Sequence, residues 1–245
     1  MREPIQIVKC GGSILASDPA RVADAIATVQ GPLIIVVSAP AGETDRRLAS
    51  IPLNASTSGE QIAEFVSRGE RAMADTMASL LQDRGRSARR VTVQDIGLSA
   101  AGAALDADPV GLDHDAVHHL LQDCHALVVP GFVATSRSGA WRLLGRGGSD
   151  VTAVFLAAEL GASCRLIQAA PGIFECDPAR GPSGRYARMH WDDLLELDAE
   201  VVQAKAVRLA KQRRVQLTVT GLAESPATIV SDSTMMASET SHADS

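Results

Sequence analysis

Short apolar runs alternate with longer amphipathic runs along the 245-residue chain. The short runs, rich in β-branched residues, predict buried strands at residues 5–8, 33–37, 91–93, 126–129, 164–167, 215–219 and 228–230. The longer runs predict helices at residues 18–29, 59–82, 112–123, 149–160, 191–197 and 198–212. Because strands and helices alternate, we predict an α/β fold, a three-layer sandwich whose mainly parallel central sheet is covered by helices on both faces.

The pattern changes near residue 231. Residues 231–245 are rich in Ser, Thr, Asp and Glu and contain few large apolar side chains, so they are predicted to form a disordered polar tail. Residues 1–230 are predicted to form a single domain. Hydrophobic residues make up 46% of the chain and aromatic residues only 3%, which predicts a core packed mainly with Ala, Val, Leu and Ile.

Composition disfavours several classes of function. The net charge of −6 disfavours a nucleic acid partner, and no apolar run approaches the ~18 residues of a membrane-spanning helix. The first predicted strand begins too early to leave room for a signal peptide. The four cysteines show no metal-ligand spacing, so no protein metal site is predicted, and a reducing, cytoplasmic setting is expected.

A glycine-rich loop before the predicted helix at 149–160 carries the strongest chemical signal. Its adjacent glycines, Gly147 and Gly148, let the backbone approach a bound anion, which the helix N-terminus also favours. Arg146 adds a planar cation suited to carboxylate or phosphate, and Asp150 can orient a lysine. The loop therefore indicates a site for a charged small molecule, although a simple turn that starts a helix remains the alternative.

Two further loops follow predicted strands. Lys9 is followed by Gly11, Gly12 and Ser13, and a lysine at a strand end can neutralise a phosphoryl group in transfer. The lysine precedes the glycines, so this is not the Walker pattern. After the strand at 33–37, the hydroxyls of Ser38 and Thr44 can bind a polar group or simply cap turns. Ligands of such sheets bind beyond the carboxyl ends of the strands, where all three loops fall.

In this order the three loops resemble the amino acid kinase family, and within it the catalytic domain of aspartokinases, over residues 5–230. Residues 67–71, Ser-Arg-Gly-Glu-Arg, resemble the family motif Ser-x-Gly-Glu-Arg, and residues 145–153 match the aspartokinase signature almost residue for residue. Residues 172–178 are similar to the nucleotide-side hairpin. The resemblance covers a catalytic domain without the C-terminal regulatory domains, so feedback inhibition through such domains is expected to be missing unless a separate chain supplies them.

The resemblance implies transfer of the γ-phosphoryl of ATP to the carboxylate of a small amino acid, aspartate or a related acid, by a Mg²⁺-dependent, homodimeric enzyme of amino-acid biosynthesis. It assigns catalysis to Lys9 and Asp150, and acceptor binding to Ser38, Thr44, Glu70 and Arg146, with Arg146 on a carboxylate and Glu70 on the ammonium group. It assigns phosphate binding to Gly11, Gly12, Ser13, Gly147 and Gly148, and nucleotide binding to Phe174, Asp177, Pro178 and Arg180.

Departures from the family gather on the nucleotide side. The usual Thr-Asp-Val-Asp is Gln-Ala-Ala-Pro at residues 168–171, Phe174 replaces a tyrosine, and Glu200 aligns with a lysine that faces the nucleotide phosphates. Lys205, Arg208 or Lys211 could substitute for that cation. A second hypothesis therefore stays open, that of a weakened or inactive relative that acts as an amino-acid- or nucleotide-binding subunit.

Overall fold

The computed structural model describes residues 3–51, 57–176, 183–197, 201–222, 226–232 and 236–237. The strands are β1 (Gln6–Cys10), β2 (Leu33–Val37), β3 (Ala88–Arg90), β4 (Ser99–Ala103), β5 (Asp106–Gly111), β6 (Ala126–Pro130), β7 (Val133–Thr135), β8 (Trp141–Leu143), β9 (Ser163–Ile167), β10 (Tyr186–His190), β11 (Leu217–Thr220), β12 (Ala227–Ser231) and β13 (Met236–Ala237). The helices are α1 (Gly12–Ser17), α2 (Pro19–Ala27), α3 (Glu43–Ser50), α4 (Gly59–Val66), α5 (Arg68–Gln82), α6 (His114–Asp123), α7 (Gly148–Leu160), α8 (Trp191–Glu196) and α9 (Ala204–Arg213).

The described strands form two sheets. The larger has the order β13-β10-β12-β11-β9-β1-β2-β6-β3, and the smaller has the order β5-β4-β7-β8. In the larger sheet β1, β2, β3, β6, β9 and β11 run parallel, as do β10 and β12. Only the pairs β11–β12 and β10–β13 are antiparallel there. The predicted mainly parallel sheet is therefore confirmed.

Side chains that alternate along β2 build a separate core on each face of the larger sheet. Leu33, Ile35 and Val37 belong to a cluster with apolar residues of α1, α2 and α5. Ile34 and Val36 belong to a second cluster with residues of α4, α7, α8 and α9. Successive side chains of a strand point to opposite faces of the sheet, so a continuous run of apolar residues must be covered by other elements on both faces. The predicted three-layer arrangement is confirmed.

Helix α2 confirms the helix predicted at 18–29, and its start has a local cause. The Asp18 side chain accepts a hydrogen bond from the Arg21 N–H at 2.9 Å, which satisfies one of the free donors of the first turn. Pro19 occupies the first helical position, where its missing N–H costs nothing. Among the described residues, no helix combines the length and the apolar character that crossing a membrane requires.

The helix predicted at 59–82 is two helices, and the prediction of one was wrong. They meet at the buried Ser67, whose hydroxyl donates to the Glu64 carbonyl at 2.7 Å. Two residues later α5 packs closely: a Cβ on Gly69 would lie 2.9 Å from that of Ala39. Similarly, the strand predicted at 91–93 lies three residues earlier, since β3 pairs with β6 only through residues 88–90.

The smaller sheet was not predicted. Strand β4 is Ser-Ala-Ala-Gly-Ala and β5 is Asp-Ala-Asp-Pro-Val-Gly, compositions with weak strand propensity. Their mutual pairing supplies what the sequence pattern lacks. Helices α1 and α3 and strand β10 were also missed.

Part of the predicted disordered tail is ordered, which corrects that prediction. Ser231 is the last residue of β12, and Met236–Ala237 form β13 antiparallel to β10. Pairing at a sheet edge satisfies backbone groups without requiring many apolar side chains. Residues 233–235 and 238–245 lie outside the described residues.

Candidate active site

A buried ion pair joins the first strand to α7. Lys9 lies in the middle of the parallel sheet, paired with Val36 of β2 and Leu166 of β9. Its Nζ is 2.6 Å from Oδ1 of Asp150, in the first turn of α7. The two residues are 5% and 4% exposed. Because desolvating two charges is costly, this contact favours a role beyond stability, and it is the contact that the resemblance implies.

The ion pair forms part of the wall of a cavity of about 200 Å³. Lining it are Lys9, Ser38, Ala39, Thr44, Glu70, Phe132, Gly145, Arg146, Gly147, Gly148, Ser149 and Asp150. All four predicted acceptor residues and both predicted catalytic residues are therefore brought together. The cavity lies beyond the carboxyl ends of β1, β2 and β6, where ligands bind in parallel sheets, and its volume suits a small amino acid.

Glu70 is the most unusual acid of the cavity. It is 3% exposed, its Oε1 accepts the Ala39 N–H at 3.4 Å, and its Oε2 has no hydrogen-bond partner among the described residues. Burial raises its pKa from 4.5 to about 7, against the smaller lowering effects of its hydrogen bonds and of Arg47. A buried carboxylate that makes no ion pair with any described residue is poised to receive a cation from a ligand.

Arg146 supplies the exposed cation of the cavity. It precedes α7 in the glycine-rich loop and is the most solvent-accessible of the predicted acceptor residues. Ser38 and Thr44 are half-buried, Ser38 directly after β2 and Thr44 in the first turn of α3. An exposed guanidinium on one side and a buried carboxylate on the other match a ligand that carries both an anionic and a cationic group.

The second glycine loop needs glycine for steric reasons. Gly147 has φ +70°, and a Cβ there would lie 2.2 Å from the Cβ of Gln203. A Cβ on Gly148 would lie 2.5 Å from the Phe132 ring. The loop thus passes closely beneath two side chains at the start of α7, where first-turn N–H groups lack intrahelical acceptors.

Part of the predicted phosphate cradle is used otherwise. The Gly11 N–H donates to the Ile167 carbonyl at 2.9 Å, and the Gly148 N–H donates to the Gly145 carbonyl at 3.0 Å. Gly11, Gly12 and Ser13 do not line the cavity, and Ser13 is exposed on α1. In this conformation the first glycine loop supports the strand end that carries Lys9 and does not contact the cavity.

Phe132 is a cavity residue that the sequence interpretation missed. It has φ +71°, which strains a bulky residue. Its N–H donates to Oγ1 of Thr152 at 3.1 Å, and that hydroxyl donates to the Gly148 carbonyl at 2.9 Å. One buried hydroxyl therefore holds both the strained aromatic residue and the glycine loop. The available signal was its position two residues beyond β6, at the same sheet edge as Lys9.

We expect Thr152→Val to lower the free energy of unfolding by about 1–3 kcal/mol, because it leaves the Phe132 N–H and the Gly148 carbonyl without their shared partner. Chemical denaturation followed by circular dichroism measures this. Thr76→Val is the matched control, since its hydroxyl donates to the Ala72 carbonyl on an exposed helix face; it should change stability by less than about 0.5 kcal/mol. Equal effects of the two substitutions would contradict the assignment.

The nucleotide side is only partly described. Asp177, Pro178, Arg180 and Glu200 lie outside the described residues. Phe174 is half-buried, pairs with Arg185 in an isolated antiparallel bridge and does not line the cavity.

Gln168, one of the departures from the family, links this side to the first glycine loop. Its Nε2 donates to the Val201 carbonyl at 3.1 Å. Its Oε1 would lie 2.4 Å from a Cβ on Gly11. The Gln168 side chain therefore ties the segment at 201–203 to the end of β1.

Two of the three cations considered as substitutes at Glu200 already have acidic partners. Lys205 Nζ is 2.6 Å from Asp106 Oδ1 and 3.1 Å from Asp108 Oδ1. Lys211 Nζ is 2.5 Å from Asp192 Oδ1. Arg208 is exposed and lines a different cavity, beside α9. In this conformation none of the three lines the cavity of Lys9.

Within the described ranges, no group of three or more His, Cys, Asp or Glu side chains could hold a metal ion. Asp150, the acid nearest to Lys9, is already ion-paired. A divalent cation at this site would therefore depend on oxygen ligands brought by a substrate.

The fold and the cavity define a class: an α/β protein in which the ends of parallel strands and a glycine loop at the start of α7 surround a buried lysine. The chain belongs to the amino acid kinase family, whose sequence model matches residues 4–221.

Several relatives in sequence are aspartokinases. The chain is 29% identical over 191 residues to the aspartokinase of Helicobacter pylori strain J99, covering 76% of this chain and 47% of that protein. It is 31% identical over 210 residues to the aspartate kinase of Pseudomonas fluorescens SBW25, covering 81% of this chain and 50% of the relative. The chain thus spans about half the length of these relatives.

Solved structures agree on the fold. E. coli aspartokinase III, solved with aspartate and ADP, superposes with a TM-score of 0.76 at 21% identity, covering 94% of this chain and 65% of that one. The aspartate kinase of Synechocystis gives a TM-score of 0.75 at 27% identity, covering 94% of this chain and 40% of that one.

Proposed function

We propose that this chain transfers the γ-phosphoryl group of ATP to the side-chain carboxylate of aspartate or a closely related small amino acid. The observation that carries the proposal is the Lys9–Asp150 ion pair in the wall of a cavity that also holds Arg146 and Glu70. Relatives that are aspartokinases favour an active enzyme over a binding subunit.

The reaction joins a carboxylate oxygen of the acceptor to the γ-phosphorus and breaks the bond from that phosphorus to the β–γ bridging oxygen. The products are an acyl phosphate and ADP. The enzyme's task is positioning and charge compensation, because the transition state spreads negative charge over the phosphoryl oxygens. Lys9 neutralises part of that charge, and Asp150 fixes the ammonium group of Lys9 so that it need not reorganise during the reaction.

Arg146 and Glu70 orient the acceptor. Arg146 binds the α-carboxylate through its guanidinium fork, and Glu70 binds the α-ammonium. The ammonium group also gives the buried Glu70 carboxylate the cationic partner that it lacks in the free protein. Ser38 and Thr44 complete the polar lining. With both α-substituents held at one end, the side-chain carboxylate points toward Lys9.

ATP and Mg²⁺ are the expected co-substrate and cofactor. We place Mg²⁺ on the nucleotide phosphates, since the described protein residues offer no cluster of acids for it; there it would shield the negative charge of the β- and γ-phosphates. Phe174, Asp177, Pro178 and Arg180 remain the proposed nucleotide contacts.

An ATP-dependent hydroxamate assay tests the proposal, because hydroxylamine traps an acyl phosphate. We expect activity with aspartate above that with glutamate, succinate or β-alanine. If no acceptor gives activity but calorimetry detects aspartate binding, the chain would instead be an amino-acid-binding relative. If there is neither activity nor aspartate binding, both hypotheses, the kinase and the amino-acid-binding relative, would be overturned.

We expect Arg146→Gln to raise the KM for aspartate between about 10- and 100-fold, with a smaller change in kcat. A charge-assisted hydrogen-bond pair is worth about 1.5–3 kcal/mol, and binding that is equal in the ground and transition states affects KM alone. Steady-state kinetics with varied aspartate measures this. Arg137→Gln is the control, an exposed arginine that does not line the cavity, and it should leave KM within twofold.

We also propose a reducing, cytoplasmic setting. All four cysteines are free, and Cys10, Cys124 and Cys164 are buried. Burial raises the pKa of the Cys10 thiol to about 12, more than the nearby Lys9 lowers it, so Cys10 is not poised as a nucleophile. A homodimer is a further proposal, which sedimentation velocity tests. Helices α5 and α6 turn their apolar faces into the core, so such an interface would use other surfaces.

A further inference from the structure

We propose that Arg71, Arg90 and Trp141 form a second binding site, separate from the acceptor cavity, for a small anion that carries a carboxylate or a phosphate group. This inference does not depend on the catalytic activity proposed above. It concerns a different cavity and groups to which the proposed reaction assigns no role.

The proposed site is a cavity of about 260 Å³ next to the carboxyl ends of β3 and β6. It is lined by Arg71, Arg90, Thr92, Val93, Gln94, Pro130 and Trp141. None of these residues lines the acceptor cavity. The volume exceeds the ~30 Å³ that one water molecule occupies in the liquid by several fold, so the space suits a molecule of about amino-acid size.

The charge of the lining selects an anion. Its two ionised side chains are both arginines, and no acidic residue is among them, although the whole chain carries a net charge of −6. Thr92 and Gln94 add a hydroxyl and an amide. Asp95 lies outside the lining, where its carboxylate accepts the Thr92 N–H at 2.7 Å.

The two arginines have donors to offer. Arg71 places its guanidinium carbon 5.1 Å from the centre of the Trp141 ring, which orients the cation without using its N–H groups. Nε of Arg90 is buried and makes no hydrogen bond with the described residues. The carboxylate of Asp75 lies 3.4 Å from that nitrogen, on a side chain that is 65% exposed, so it competes weakly with a ligand.

These features together specify the ligand class. A guanidinium fork matches carboxylate and phosphate oxygens, and both arginines can contribute one. The face of Trp141 and the side chain of Pro130 provide an apolar wall. We therefore expect a compact anion with a short carbon frame, or inorganic phosphate itself.

Trp141 provides a local reporter, because the chain has only two tryptophans and Trp191 is buried elsewhere, in α8. Inorganic phosphate and succinate are titrated separately into the full-length Trp191→Phe protein while fluorescence is followed. We expect a saturable change with at least one of them, and the identity of that probe separates a phosphate site from a carboxylate site. Calorimetry gives an independent measurement of the binding of the same two probes. It uses a variant that keeps both tryptophans and carries Arg146→Gln, which weakens binding in the acceptor cavity.

Matched arginine substitutions locate the binding. In calorimetry, Arg90→Gln and Arg71→Gln should each raise the Kd for the bound probe at least tenfold. Arg89→Gln and Arg68→Gln, exposed neighbours on the same elements, should leave it within twofold. Arg90→Lys, which keeps the charge without the fork, should give an intermediate loss and covers the possibility that Arg90→Gln fails to fold. Absence of saturable binding of both probes, or equal losses in the control variants, would overturn the inference.

Discussion

Lys9→Met is expected to lower kcat for acyl phosphate formation by about 10³-fold. The ammonium group of Lys9 is the only lysine charge among the residues that line the acceptor cavity, and loss of one pre-oriented group that stabilises a transferring phosphoryl costs about 10²–10³-fold or more. The KM for aspartate should change little, since Arg146 and Glu70 remain. The hydroxamate assay under saturating ATP measures the loss, and more than a tenth of the original kcat would contradict the role of Lys9.

The same substitution has a stability cost that must be separated from catalysis. It leaves the buried Asp150 carboxylate without its cation, and breaking a buried pair from one side costs about 3–5 kcal/mol. The double variant Lys9→Met/Asp150→Asn removes both charges and should recover much of that loss while remaining inactive. This outcome would assign the lost activity to chemistry, because the protein would be folded and still unable to transfer the phosphoryl group.

Lys205→Met is the matched control for the stability effect. Its ion pair with Asp106 has the same 2.6 Å distance, but the Lys205 and Asp106 side chains are 28% and 70% exposed. Exposed pairs contribute about 0–1 kcal/mol to stability. The free energy of unfolding of this variant should therefore lie within about 1 kcal/mol of that of the original protein. Two ion pairs of equal length thus differ in their expected effect because solvent screens one of them.

Features with a local cause could be predicted from the sequence. The alternation of β-branched runs and helical runs predicted the parallel sheet, because strand and helix periodicities are properties of neighbouring residues. The predicted contact of Lys9 with Asp150 needed one step more. The family resemblance supplied the pairing itself. The rule for parallel sheets placed both loops at the same edge of the sheet, where a lysine near the end of the first strand can meet an acid at the start of a later helix.

Features fixed by distant partners could not be predicted. The positive φ of Phe132 depends on Thr152, twenty residues away, and β4 is a strand because β5 and β7 pair with it. The ion pair between Lys205 and Asp106 joins residues that are 99 positions apart in the sequence. No local pattern distinguishes a lysine so engaged from one free to meet a nucleotide, so the sequence left Lys205 open as a substitute.

Glu70 connects the acceptor cavity to the stability of the fold. Its carboxyl group has a pKa of about 7 in the folded protein, against 4.5 for the ordinary group. Below pH 4.5 it is protonated in both the folded and unfolded states and contributes no pH dependence. Between pH 4.5 and 7 the folded state binds more protons, so the free energy of unfolding falls as the pH rises. Above pH 7 the full penalty, about 3 kcal/mol, is present.

Glu70→Gln should therefore act in opposite directions on stability and on binding. It should raise the free energy of unfolding by up to about 3 kcal/mol at pH 8.5 and have little effect at pH 4.5. Urea denaturation at both pH values measures this difference. Because the neutral amide oxygen can accept a hydrogen bond from the acceptor's ammonium group but cannot form an ion pair with it, the KM for aspartate should rise by about 10²-fold. Glu64→Gln, an exposed glutamate on α4, is the control for both effects.

A substitution that stabilises the protein while it impairs binding is what a site with an uncompensated buried charge predicts. In the free protein the Glu70 carboxylate opposes folding, and in the complex the ammonium group of the acceptor removes that penalty. Aspartate should accordingly stabilise the original protein more at pH 8.5 than at pH 5.5, and this difference should disappear in Glu70→Gln. A ligand-induced shift in Tm that is independent of pH in the original protein would show that Glu70 does not receive the ammonium group.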